Sequence, residues 1–201
     1  MNTTRYCPDE LYAKFRQAHD VASPSEFFNR PAHKKTQELW CAARFGQVFS
    51  LHVKPCSLLV ADGDEQTDAD FHLEVAGKTL PFQITEVQVP GRRRGDEYKK
   101  EKLPRATLES WDSGTQQGPV WVRDALLKKH DRYGGEVAGL NLLVYANFQA
   151  YEHDYEELCH ATAELASRFA SVWVLNGNGA CCIKGSEALG GARAWLFNAQ
   201  S

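Results

Sequence analysis

The spacing of apolar side chains predicts two helices at the start of the chain. Leu11, Phe15 and Ala18 recur at helical spacing, which predicts a short helix over residues 9–18. A Ser-Pro-Ser break at 23–25 follows, and a longer apolar stripe predicts the first long helix over residues 32–49. We therefore expect an N-terminal helical appendage over 1–30 and a single domain over 31–201.

Three extended segments follow the long helix in quick succession. Residues 57–61 are apolar, whereas residues 70–75 alternate strictly between polar and apolar side chains, and residues 82–87 nearly do so. Alternation places successive side chains on opposite faces of a strand. Short turns join the three segments, with Gly77 and Lys78 at the second turn. The pattern predicts an antiparallel meander.

The rest of the chain alternates between helical and extended patterns. The predicted elements are a loop at 112–119, a helix at 120–133, a strand at 140–146, a helix at 155–170 and a hairpin of 172–175 with 180–183. Gly118-Pro119 and a Gly-Gly pair at 134–135 delimit the first of these helices. The order predicts an α/β fold with a mixed central sheet flanked by helices. Trp40, Trp121 and Trp173 fall within predicted elements and are interpreted as core residues.

Composition and charge narrow the functional classes. The 201 residues carry a net charge of −3, so no global positive field attracts nucleic acid or an anionic membrane. No apolar run approaches the roughly 20 residues of a spanning helix, and residues 1–6 lack the features of a secretory signal. The six cysteines form no C-x-x-C pair, which argues against a zinc ribbon and favours free buried thiols. We expect a cytoplasmic protein that is not embedded in a membrane.

Polar residues on the second and third strands suggest a site at the sheet edge. Asp70 opens the second strand, and Gln83 and Thr85 share one face of the third. Hard oxygen ligands at the edges of two adjacent strands can bind a magnesium ion beside a water and a phosphate. We therefore predict that these three residues lie in one cleft.

This arrangement resembles the PD-(D/E)XK nuclease superfamily, over roughly residues 31–150. The resemblance implies a restriction-endonuclease-like core of helix, three-stranded meander, helix and strand, extended by a C-terminal helix and hairpin. Asp70 matches the aspartate that begins the second strand of that superfamily, Gln83-Ile84-Thr85 occupies the place of its acid-x-lysine triplet, and Glu38 is the candidate for its first-helix acid. The resemblance implies metal-assisted phosphodiester hydrolysis.

The resemblance also implies a role for each residue. Asp70 would be the principal magnesium ligand and Gln83 a weak one, Glu38 would hold the ion through water, and Thr85 would position water. Gln83 replaces a carboxylate and Thr85 replaces the lysine, so the ion loses countercharge and the phosphate loses a cation. Rescue would need Glu86 to rotate at a bulge, or an ammonium from one of three lysines: Lys78, Lys99 or Lys100. Magnesium is therefore expected to bind weakly or not at all.

The replaced residues leave two alternatives to catalysis. One is a non-catalytic interaction protein on a degenerate nuclease fold, binding protein or nucleic acid. The other is a small-molecule-binding protein whose pocket lies at the same sheet edge.

A basic segment follows the third strand. Residues 92–105 contain seven basic and three acidic residues. Arginine binds phosphate in a bidentate manner, so the predicted DNA or RNA contacts are Arg92, Arg93, Arg94, Lys99 and Lys100. The alternative interpretation is an exposed charged loop with no partner.

Overall fold

The structure is a computed structural model of the 201-residue chain. It describes residues 3–21, 34–61, 68–91, 108–177, 179–185 and 194–197. Within these residues, the strands are β1 (Thr3–Tyr6), β2 (Ser57–Ala61), β3 (Phe71–Val75), β4 (Lys78–Val87), β5 (Asn141–Ala146), β6 (Ser171–Asn176), β7 (Gly179–Lys184) and β8 (Leu196–Phe197). The helices are α1 (Pro8–Val21), α2 (Lys34–His52), α3 (Leu108–Arg132) and α4 (Tyr155–Ala166).

All the strands belong to one mixed sheet, ordered β1 to β8 as in the chain. β2, β3 and β4 pair antiparallel, as the predicted meander requires, and β1, which the sequence pattern does not predict, pairs antiparallel with β2. β4, β5 and β6 pair in parallel. The final strands, β7 and β8, return to antiparallel pairing. Parallel neighbours need a crossover connection, which α3 supplies between β4 and β5, and α4 between β5 and β6. The predicted α/β class with a mixed sheet flanked by helices is confirmed.

The sheet is covered on both faces, and each face has its own apolar cluster. Helices α1 and α2 pack on one face around Phe45, whose ring lies 5.2 Å from that of Trp173 and 5.4 Å from that of Phe82. Helices α3 and α4 pack on the other face, around Leu126 and Phe169. Cys181 belongs to the second cluster and Cys182 to the first, as expected for neighbours on a strand.

The N-terminal residues join the same core. β1 pairs with β2, and Arg5 donates to Glu74 on β3 at 2.7 Å. Leu11 of α1 is fully buried in the cluster under α2. The predicted domain boundary near residue 30 lies outside the described residues. Among the described helices, none combines the length and the apolar character that crossing a bilayer would require.

Helix α3 differs most from its prediction. It begins at Leu108 instead of residue 120 and continues through Gly114, Gly118 and Pro119, which the sequence pattern placed in or beside a loop. The two glycines are buried where α3 crosses the segment after β5, which includes Phe148. They are needed for this close approach and do not end the helix.

Candidate ligand-binding cleft

A cleft lies beside the second half of β4. In the described part of the chain, β3 pairs with β4 no further than Phe82, whereas the pairing of β4 with β5 continues to Val87. Beyond Phe82, the Asp70 carboxylate takes the position of the next β3 partner and accepts the Ile84 N–H at 2.5 Å. The remaining residues of β4 line a cavity of about 730 Å³ between α1 and α2 on one side and α3 on the other.

One wall of the cleft is aromatic. Tyr12 and Phe15 of α1, Trp40 of α2 and Tyr145 of β5 form a continuous series of ring contacts. Successive ring centroids along this series are 6.2, 6.3 and 5.1 Å apart. The opposite wall adds Trp121 of α3, whose ring is held edge-on by Phe148 at 5.2 Å. These lining rings are only partly buried, so each keeps surface that a ligand could cover.

The α3 wall is also basic. Lys128, Lys129 and Arg132 line the cleft from successive turns of the helix. The Lys129 side chain is 8% exposed, and its Nζ donates to Gln83 Oε1 at 2.8 Å. Asp124 lines the same wall, and its carboxylate is paired with Arg123 at 2.9 Å. Among the described residues that line this wall, basic side chains outnumber acidic ones.

The wall opposite α3 contains two carboxylates. Glu38 lines the cleft from α2. Glu86 lies two residues after Ile84 on β4 and therefore on the same face of the strand, the face that packs against the apolar cluster of α2. Glu86 accepts a hydrogen bond from the Asn147 amide at 2.5 Å. Arg16 of α1 lines this wall as well and is paired with Asp20 at 3.6 Å.

The predicted site residues separate into two groups. Glu38 and Thr85 line the cleft. Asp70 and Gln83 lie beneath its lining and are engaged in structural hydrogen bonds, Asp70 with Ile84 N and Gln83 with two partners. The Gln83 amide donates to the Asp68 carbonyl at 2.6 Å and accepts from Lys129. Gln83 thus links β4, α3 and the residues preceding β3.

These donors do not fit a divalent cation as they stand. The one side-chain oxygen that Gln83 offers already accepts from an ammonium group, whose charge opposes a second cation. No group of three or more His, Cys, Asp or Glu side chains within the described ranges could hold a metal ion. Magnesium binding that is weak or absent at Asp70 and Gln83 stays a prediction.

Two aromatic residues that were interpreted as core belong to the cleft. Trp40 and Trp121 are part of its walls, whereas Trp173 is fully buried as predicted. Helical spacing identifies an apolar face but does not show whether that face packs in the core or lines a cleft. The sequence therefore contains no signal that distinguishes Trp40 and Trp121 from a core tryptophan. The predicted nucleic-acid residues, Arg92, Arg93, Arg94, Lys99 and Lys100, lie outside the described residues.

Comparison with known proteins gives little that resembles this chain. Neither protein-family models nor curated proteins give a match. A solved structure of a protein of unknown function from Pseudomonas aeruginosa strain PAO1, described as belonging to the monooxygenase superfamily, has 17% sequence identity over 94% of each chain. The TM-score is 0.47. This likeness is too distant to transfer any activity to the present chain.

The comparison corrects the interpretation drawn from the sequence. No protein-family model matches the chain, and the expected metal ligands are engaged in other bonds, because Asp70 accepts the Ile84 N–H and Gln83 accepts from Lys129. The identification with the PD-(D/E)XK nuclease superfamily is wrong. The predicted phosphodiester hydrolysis and the alternative of an interaction protein on a degenerate nuclease fold are wrong with it, and nothing here supports nucleic-acid binding. The predicted element order is present, but it does not identify a restriction-endonuclease-like core.

Proposed function

We propose that the chain is a small-molecule-binding protein and that its cleft holds an organic ligand with a flat apolar ring. The observation that carries the proposal is the cavity of about 730 Å³ with aromatic side chains on both walls. Small-molecule sites are clefts of about 300–1,000 Å³ with apolar and aromatic linings and a few polar groups. The cleft matches that description in size and in lining.

The partly buried rings account for the affinity that such a ligand would gain. Burying apolar surface contributes about 25 cal/mol per Å². An aromatic pair in edge-on or offset geometry adds about 0.5–1.5 kcal/mol. Trp40 is held by Tyr145 and Trp121 by Phe148, so these rings are positioned before a ligand arrives. Prior positioning reduces the entropy lost on binding.

The place of the cleft in the sheet supports the same proposal. In open α/β sheets, ligands bind outside the carboxyl ends of parallel strands. β4 and β5 are parallel, and the cleft is lined by the last residues of β4 and by Gln88 and Pro90 just beyond it. Tyr145, next to the end of β5, completes this edge.

The proposed compartment is the cytoplasm. All six cysteines are free thiols, and Cys41, Cys181 and Cys182 are buried. Free thiols in this number are typical of proteins from reducing compartments. A fluorescent fusion located outside the cytoplasm would contradict this proposal.

The test is ligand-observed saturation-transfer NMR with 2-naphthaleneethanol, a neutral two-ring probe. We expect saturation transfer from the wild-type protein and a weaker effect from Trp40→Ala and Trp121→Leu. Trp111→Ala is the matched control, because the Trp111 ring lies 5.6 Å from that of Tyr151 and outside the cleft lining. Thermal unfolding verifies that each variant is folded. The proposal fails if wild-type protein gives no transfer, or if folded cleft variants behave like the control.

A further inference from the structure

Two cations line the cleft from α3, and we propose that they bind a carboxylate on the ligand whose ring lies between Trp40 and Trp121. The two cations are Lys128 and Arg132. The ligand of the cleft is then an aryl carboxylate, an anion with a flat ring at one end. The inference rests on the proposed function, because it specifies the polar group of the same ligand.

Neither cation is engaged elsewhere in the described part of the chain. There, the side chains of Lys128 and Arg132 make no hydrogen bond, ion pair or ring contact with another residue. Asp124, one turn before Lys128, is paired with Arg123 at 2.9 Å instead. Lys129 differs from both cations, because its ammonium group already donates to an amide oxygen of β4. Lys128 and Arg132 are therefore the cations of this wall that a ligand can bind without displacing a described partner.

The two cations are neighbours on one face of α3. Residues four apart on a helix have Cβ atoms about 5–6 Å apart, so the two oxygens of one carboxylate can accept from both side chains. Like charges at this spacing repel each other. A carboxylate bound between Lys128 and Arg132 replaces that repulsion with two charge-assisted hydrogen bonds.

The cations also lie close enough to the aromatic lining for one small ligand to contact both. Lys128 follows Trp121 by seven residues, which is two helical turns on the same face and about 10 Å along the axis. Side chains on a helix lean towards its N-terminus, so Lys128 and Arg132 reach back towards Trp121. A ring against Trp121 and a carboxylate on a short aliphatic linker therefore fit one ligand.

The glutamates of the lining lie away from this carboxylate position. Glu38 and Glu86 belong to the wall opposite α3, and Glu86 accepts a hydrogen bond from the Asn147 amide. The added affinity is assigned to Lys128 and Arg132 themselves and not to the net charge of either wall. It should disappear when these two side chains are neutralised.

The test compares three probes that share a naphthyl ring and a two-carbon linker: 3-(2-naphthyl)propionate, 2-naphthaleneethanol and 2-(2-naphthyl)ethylamine. Isothermal titration calorimetry at pH 7 should show that the propionate binds about tenfold more tightly than the alcohol, and that the amine does not. Hydrogen bonds to charged groups are strong enough for a tenfold difference. Raising the salt concentration from about 0.05 M to about 0.5 M should weaken the propionate much more than the alcohol, because salt screens exposed charges.

Substitutions assign the carboxylate site. The double variant Lys128→Gln with Arg132→Gln should bind the propionate about tenfold more weakly than the wild-type protein does, and should change the affinity for the alcohol much less. Lys54→Gln with Lys78→Gln is the matched control, because it removes the same charge from two exposed residues outside the cleft lining. The control should bind the propionate as tightly as the wild-type protein does. Thermal unfolding verifies that both double variants are folded.

The outcomes separate this inference from the proposed function. The carboxylate proposal is overturned if the propionate binds no more tightly than the alcohol or the amine. It is also overturned if the cleft double variant binds the propionate as tightly as the wild-type protein does, or if the control weakens binding equally. In each of these cases the ring-binding cleft stands as long as the alcohol binds. If none of the three probes binds, the proposed function fails as well.

Discussion

Gly114→Ala is expected to destabilise the protein, because it adds a methyl group where α3 crosses the segment after β5. An ideal Cβ at Gly114 would lie 1.7 Å from the carbonyl oxygen of Gln149. Real Cβ atoms essentially never approach another heavy atom closer than 3.0 Å, so one backbone must move by at least the difference, 1.3 Å. The obstructing atom belongs to the backbone and cannot rotate away.

The contacts around this crossing set the magnitude. Overpacking costs about 1–3 kcal/mol. Moving α3 away also strains the bond from Tyr151 N–H to Thr115 Oγ1, 2.9 Å long, and such a bond contributes about 0.5–1.5 kcal/mol. Alanine is about 1 kcal/mol more favourable than glycine inside a helix, which offsets part of this loss of stability. We expect a net loss of about 2 kcal/mol, which lowers Tm by about 4–8 °C in a chain of this size.

The assay is chemical and thermal unfolding followed by circular dichroism, with Gly139→Ala as the matched control. A Cβ at Gly139 would have no heavy atom within 4 Å, and the φ angle of Gly139 is not positive. The control should therefore change stability by no more than about 0.5 kcal/mol. Equal stability of the two variants would refute the argument that α3 needs a glycine at 114.

Three further predictions concern buried polar groups. Burial lowers the pKa of His153 below its usual 6.5, because the folded protein disfavours the charged imidazole. The stability that the neutral His153 side chain contributes is therefore complete above about pH 6.5 and is lost as the pH falls towards the folded-state pKa. In the His153→Gln variant, the urea concentration at the unfolding midpoint should depend less on pH between pH 8 and pH 5. The same pH dependence as in the wild-type protein would contradict this. The Asn141 amide donates to the Pro81 carbonyl at 2.9 Å and accepts from the Ser171 hydroxyl of β6 at 2.8 Å. Asn141→Leu should therefore lower the free energy of unfolding in urea by about 1–3 kcal/mol. A loss of less than about 0.5 kcal/mol would contradict this. Gln83→Met and Lys129→Met should show a coupling energy of about 1–3 kcal/mol in a double-mutant cycle, and additive effects would contradict the bond between them.

The meander could be predicted from sequence because its pattern is local. Phe71, Leu73 and Val75 alternate with polar residues, and the structure buries these three and leaves their neighbours partly exposed. The turn at Ala76 and Gly77, both with positive φ, joins β3 directly to β4. A pattern of period two contained in a few residues specifies both the strand and its buried face.

The beginning of α3 could not be predicted because its cause is distant in sequence. Glycine and proline are helix breakers by local propensity, and Gly114, Gly118 and Pro119 lie in six consecutive residues. Their packing partner, Phe148, follows about thirty residues later, after the crossover returns the chain to the sheet. Tertiary packing overrides propensity here, and only the folded chain brings the two segments together.

The same separation explains why Asp70 and Gln83 were misinterpreted from the sequence. Asp70 and Gln83 matched a metal-binding pattern because strand alternation gives their order and spacing, but it does not give their partners. Lys129, which binds Gln83, lies 46 residues away on α3, in a helix face that the sequence alone does not distinguish from a solvated one. The hydrogen bond makes Gln83 a support for the α3 wall, and it is one of the contacts that hold the almost fully buried Lys129 side chain in place. Polar residues at a sheet edge can thus support the wall of a cleft from beneath its lining, a role that strand alternation alone does not reveal.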